Sequence, residues 1–165
     1  VLEPAANEIW IFRGASESFS GTPERYFRDK VMDLSDTVDF AIAQRDIFIL
    51  HSDGRVTQCT RQDPSETPRC VGVNYSDVRS GRTSGDRLSG LMAPVSILYN
   101  PPPEPSIYLS DATSQATFQV SLGMAFQRQF RALLDLSDPL EAFAIGPDRT
   151  LFFALGGNIY VGQLP

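Results

Sequence analysis

The stretch DLSDTVDFAIAQRDIFILHSDG (33–54) and its near-copy DLSDPLEAFAIGPDRTLFFALGGN (135–158) decide the fold. Both open on the same four residues and then reach Phe-Ala-Ile, at 40–42 and 143–145. A polar break follows, AQRD in the first and GPDR in the second. Then come an apolar strand, a Gly-containing turn and a second strand, RVTQC (55–59) or NIYVG (158–162). The Asp-Gly pair of HSDGR (51–55) has the positive φ preference of a tight hairpin, and GGN (156–158) serves the second copy in the same way.

A middle copy fits the same scheme. PVSILYN (94–100) precedes the break PPPEP, then SIYLS (106–110), the turn DATSQ and the strand ATFQVS (116–121). AFQRQF (125–130) suits a fourth strand. The opening residues VLEPAANEIWIF (1–12) align as a partial copy with 108–119. PERYFRDKVMDL (23–34) reads equally as helix or strand. The steps between copies are about 57 and about 46 residues, and repeats of roughly 40–50 residues with four short strands are the mark of β-propeller blades. The longer first step is taken up by an insertion, VGVNYSDVRSGRTSGDRLSG (71–90).

SIYLSDATSQATFQVS and VLEPAANEIWIF resemble the core of the NHL repeat, an apolar strand ending in Asp, a turn, and a strand of alternating apolar residues. The turn carries Ala112-Thr113-Ser114 where that family favours Gly-Asn. The resemblance implies a closed ring, typically of six blades, that binds protein, peptide or RNA. The expected fold is therefore all-β, about three and a half blades from the C-terminal part of a larger propeller. The expected divisions are the end of a blade (1–32), a blade (33–70), the inserted loop (71–90), a blade (91–131) and a last blade lacking its outer strand (132–165). Unpaired strands at both ends would be adhesive edges. The expected partners are thus the remaining blades, from an upstream segment or another chain. The start lacks Met and the basic and apolar regions of a signal peptide, so Val1 reads as a cut or processed end.

Composition narrows the function. The net charge of −6 argues against general nucleic-acid binding and disfavours the RNA option. No apolar run is long enough for a membrane-spanning helix, so this segment is not expected to insert in a membrane. Thirteen of the 14 basic residues are Arg, the exception being Lys30. Cys59 and Cys70 flank a polar, Pro-containing loop whose ends can meet, as a disulfide or as two free thiols. With one His in the chain they do not complete a zinc set. A bridge would place the protein in an oxidising, extracytoplasmic compartment.

Asp33, Asp36, Asp135 and Asp138 precede the innermost strands, on the side of the turns that hold Asp53 and Asp111. Such a face either holds a cation or basic peptide, or uses Asp only to bond nearby backbone N–H groups. The insertion carries Arg79, Arg82 and Arg87 among Ser and Gly, either a carboxylate or phosphate grip or a solvated mobile loop. His51 with Ser52 and Asp53 does not make a triad, because neighbours on a tight turn diverge. Trp10, Tyr99 and Tyr108 read as core, and NPPPEP (100–105) as a stiff loop or a docking polyproline segment. The leading candidates for ligand contact are Arg79, Arg82, Arg87, Asp36, Asp53 and Asp138. The expected function is a non-enzymatic recognition or scaffold module for a protein or peptide, with no cofactor. The alternative is a metal-dependent propeller hydrolase or lyase, although the inner strands FAIA, VSILY and AFAI offer few ligating side chains.

Overall fold

A computed structural model describes residues 1–14, 19, 21–101, 104–131, 138–146 and 148–163. Asp135 and two prolines of NPPPEP lie outside the described residues. Among the described residues the chain is all-β apart from one short 3-10 turn, Pro4–Ala6, and its strands form four antiparallel sheets. Sheet 1 holds β1 (Leu2–Glu3), β2 (Glu8–Ile11) and β3 (Glu24–Arg25). Sheet 2 holds β4 (Thr37–Ala43), β5 (Asp46–His51), β6 (Val56–Thr60) and β7 (Arg69–Val73). Sheet 3 holds β8 (Pro94–Asn100), β9 (Ser106–Asp111), β10 (Ala116–Val120) and β11 (Phe126–Arg131). Sheet 4 holds β12 (Leu140–Ile145), β13 (Thr150–Leu155) and β14 (Asn158–Gln163). Within each sheet the strands lie in chain order, and no sheet is closed.

The strands of 2–25, 37–73, 94–131 and 140–163 thus form four separate sheets. The hairpin turns follow their residues: Gly54 (φ 86°), Gly156 (φ 54°) and Gly157 (φ 77°) take the left-handed angles that the turns after β5 and β13 require. Between 23 and 34 only Glu24–Arg25 is regular, and it is strand. The chain then bends so that Tyr26, Phe27 and Leu34 are buried. The stretch 71–90 is not wholly a loop, since 71–73 complete β7 and both Tyr75 and Leu88 are buried.

Alternation along the strands stacks the sheets. On sheet 2, Ile47, Ile49 and Cys59 face sheet 1 and pack with Ile9, Tyr26, Phe27 and Leu34. From the other face Ala41, Phe48, Leu50 and Val56 pack against Ile97, Leu109 and Phe118 of sheet 3. Tyr108, on the far side of sheet 3, meets Phe143 and Leu151 of sheet 4. The first strands lie side by side, β4 next to β8 and β8 next to β12. Each of these three has the same irregularity near its start, a register shift at Thr37/Asp39, Pro94/Ser96 and Leu140/Ala142. The Asp39 carboxylate sits at the first of them and accepts the Ile97 N–H at 3.0 Å, joining two sheets through a side chain.

Cys59 and Cys70 are directly opposed residues of β6 and β7 and form a disulfide. Labelling of the denatured, unreduced protein should find no free thiol, and two labelled thiols would remove the bridge. Reduction is expected to cost roughly 3 kcal/mol of stability. Phe118 is fully buried between sheets 2 and 3. Phe118→Ala should cost about 3–5 kcal/mol in denaturant unfolding, and a loss under about 1 kcal/mol would mean that the sheets do not pack there.

Candidate functional site

The end of the stack where the first strands begin carries Asp36, Asp53, Asp111 and Asp138. The Asp36 carboxylate meets His51 Nδ1 at 2.7 Å, and His51 Nε2 meets Thr57 Oγ1 at 2.9 Å. The imidazole is therefore held on both nitrogens by β6 and by the entry to β4, not by its sequence neighbours. Arg55 reaches Asp36 at 3.3 Å and Asp53 at 2.7 Å, and Arg87 donates to Asp53 at 2.7 Å. Burial opposes ionisation of Asp53, but the hydrogen bonds from the Arg55 side chain and backbone and from Arg87 win and hold its pKa at about 2. Asp33 is lowered by its bonds from the Ser35 hydroxyl and backbone N–H.

The equivalent corner of sheet 3 has other chemistry. Asp111 is buried, which raises its pKa, but N–H groups of Ala93, Ser114 and Met92 outweigh burial and lower it. Two backbone bonds coincide, Ser52 N–H to Asp36 C=O and Ala112 N–H to Ala93 C=O, both 2.8 Å. Asp138 lies over the Gly156 turn of sheet 4, where a Cβ on Gly156 would collide with its carboxylate.

The three candidate arginines of 71–90 do not converge. Arg79 stacks 3.7 Å over the Phe126 ring and grips the buried Asp77 with two guanidinium nitrogens, at 2.8 and 2.6 Å. That contact lowers the Asp77 pKa. Arg87 turns to Asp53, and Arg82 is exposed. The structure therefore brings Asp36, Asp53 and Arg87 together through Arg55, and places Arg79, Arg82 and Asp138 elsewhere. Among the described residues no group of three His, Cys, Asp or Glu side chains could hold a metal ion.

A second feature was not found in the sequence. A cleft of about 1100 Å³ opens between sheets 1 and 2. Ile11 and Phe12 line one side and Phe40 and Ile42 the other, with Arg45 and Arg61 at one end. Trp10, the single tryptophan, also lines it. Its only early signal was that Phe40 and Ile42 share one face of a strand while their side of the stack holds a partial repeat.

No protein-family model matches the chain, and no curated protein is similar to it in sequence.

Because the Asp53 pKa is depressed in the folded state, its interactions stabilise the fold above the unfolded value near 3.8 and are lost as pH falls towards about 2. In that window the parent protein should lose stability more steeply than Asp53→Asn, measured by urea unfolding at a series of pH values. Parallel curves would show that Asp53 is not held by Arg55 and Arg87.

Proposed function

We propose that this chain is an arc of NHL-like β-propeller blades and acts as a non-enzymatic recognition or scaffold module for a protein or peptide partner. Four sheets in chain order, meandering strands, adjacent first strands and a repeated irregularity at their starts support the ring geometry. The observation that carries the reading is the free face of sheet 4. Ala144, Phe152 and Val161 are aligned across its three strands, and Ala142, Ala154 and Ile159 form the next row. Ile159 is 72% and Val161 65% exposed. Inside the stack such faces are buried against the next sheet, so this one is built to be covered. In the proposed ring the cover is a further blade, supplied by another segment or another chain.

The Cys59–Cys70 bridge extends the reading to an oxidising, extracytoplasmic setting, where such bonds persist. Among the described residues no helix is long and apolar enough to cross a membrane.

Light scattering tests the exposed face. At micromolar concentration the isolated chain should run above its 18.2 kDa monomer mass. The double variant Ile159→Glu, Val161→Glu should return it to the monomer. A clean monomer of the parent chain would overturn the arc in favour of a self-contained β fold.

A further inference from the structure

The cleft between sheets 1 and 2 has a shape that the rest of the chain explains. At the other two junctions the first strand of one sheet lies beside the first strand of the next, β4 by β8 and β8 by β12. The residues facing that neighbour are covered: Ile97 is 1% and Phe143 6% exposed. Phe40 holds the equivalent place on β4 and is only half-buried, and Ile42, two residues on along the same face, is 60% exposed. Sheet 1 runs β1-β2-β3, so among the described residues no first strand lies against this side of β4. The cleft therefore has the position and the apolar wall that a first strand occupies elsewhere in the stack.

The backbone beside it is prepared for a strand. Val1 and Trp10 exchange both backbone hydrogen bonds, at 2.8 Å each. Leu2, opposite Ile9, is the next pair, and in an antiparallel ladder its N–H and C=O point away from β2. That edge faces the side on which a first strand would lie. Strand addition to a free edge takes its affinity from such main-chain groups and its specificity from alternate side-chain pockets.

The cleft is also charged at one end. Arg45 sits in the turn after β4 and Arg61 just after β6, and the Asp46–Thr60 pairing sets them side by side. Asp46 is satisfied by Gln58 at 2.6 Å and Thr60 at 2.7 Å. Among the described residues neither arginine forms an ion pair, although Arg61 stacks on the Tyr26 ring at 5.0 Å and donates one Nη1 bond to the Tyr26 carbonyl at 3.4 Å. A strand parallel to β4 ends at this corner, because β4 itself ends there.

We propose that this cleft takes an extended β-strand from a partner polypeptide, apolar at alternate positions and carrying a carboxylate just after its last apolar residue. The proposal deepens the recognition reading and rests on the stacked-sheet geometry behind it. The apolar side chains cover Phe40 and Ile42, the backbone pairs with Leu2, and the carboxylate meets Arg45 and Arg61.

The test uses a synthetic peptide with the sequence of the chain's own last first strand, Leu-Glu-Ala-Phe-Ala-Ile-Gly-Pro-Asp (140–148), given a soluble fluorescent tag at its N-terminus. It is titrated with the full chain carrying Ile159→Glu and Val161→Glu, so that copies do not compete through sheet 4. Saturable binding, read by the fluorescence anisotropy of the tag, is expected. Ile42→Lys, a change at an exposed position, should abolish it. The pair Arg45→Gln, Arg61→Gln should weaken it about tenfold, and amidating the peptide with Asp changed to Asn should do the same. N-methylation of the amides facing β1 should also abolish it. No binding at millimolar peptide would overturn the proposal, as would equal binding of a scrambled peptide. Saturable binding of dodecanoate but not of the peptide would overturn it in favour of an acyl-chain pocket. Self-association of the parent chain without peptide binding defeats this proposal alone, and peptide binding by a chain that never associates defeats the arc alone.

Discussion

The strands β5 and β9 are buried on both faces, and most of the architecture follows from that. Ile47, Phe48, Ile49 and Leu50 are all nearly inaccessible, as are Ile107, Tyr108 and Leu109. Such a strand needs a sheet on each side. Burying a Leu, Ile or Phe side chain contributes about 1.5–3 kcal/mol, while ordering each residue's backbone costs about 1–2 kcal/mol. A single sheet with one wet face would gain on half of its side chains only. Two-sided burial doubles the return per ordered residue. Sheets 2 and 3 achieve it because sheets 1 and 4 flank them, and the flanking sheets do not achieve it themselves.

Polar groups set the spacing of this stack. The irregularity at the start of β4 frees the Asp39 carboxylate to reach across and accept the Ile97 N–H, a side-chain-to-backbone bond between different sheets. Burial raises the Asp39 pKa, against the opposing bonds from the Ile97 and Phe40 N–H groups. A half-buried carboxylate is an unfavourable peg unless both oxygens are used, and here both are. The corner clasps show the same economy. Sheet 2 closes its entry with Asp36 and His51, whereas sheet 3 uses Asp111 and bare N–H groups. The backbone bond that each clasp protects is the same. The geometry is repeated and the side chains are not, which explains why the first and last copies share so few residues beyond Asp-Leu-Ser-Asp and Phe-Ala-Ile.

This also explains what was legible in the sequence. Strand positions were, because alternation and turn residues are local, and the DG and GG turns show their angles in their composition. The division into sheets was legible from the spacing of the copies. The roles of the charged residues were not. Arg79 looked solvent-facing among Ser and Gly, but Phe126 and Asp77 reach it from elsewhere in the fold, and no local pattern encodes that meeting. His51 looked like a turn residue, and its partners Asp36 and Thr57 come from two other segments. The fourth strand of sheet 2 was assigned in part to the insertion 71–90, which took up the longer step between copies. Its pairing is imposed by β6 and the disulfide. The cleft was hidden for a simpler reason: it is made by the face of β4 that has no first strand beside it, and exposure is a property of neighbours.

The two ends of the stack are unlike, and that has a consequence for anything that docks there. On sheet 4 the free face is apolar and nearly flat, with small Ala and larger Phe, Ile and Val side chains in two rows. On sheet 1 the residues alternating with Ile9 and Ile11 are Glu8 and Trp10, and these are already bonded to Arg25 and Glu3. Glu8 is already buried, but two copies meeting head to tail would press the exposed Trp10–Glu3 bond against a face that offers no hydrogen bonds, at a cost of about 1–3 kcal/mol for each partner lost. Two copies meeting through sheet 4 alone would satisfy that face and leave the cleft untouched, which gives an isologous pair and not a growing filament. The cleft, in contrast, has a polarity: an apolar wall along its length and two arginines at one end. A flat apolar face accepts many partners of similar shape, whereas a strand entering the cleft is accepted in one direction only. On the proposed reading, specificity would reside at the sheet 1 end and adhesion at the sheet 4 end.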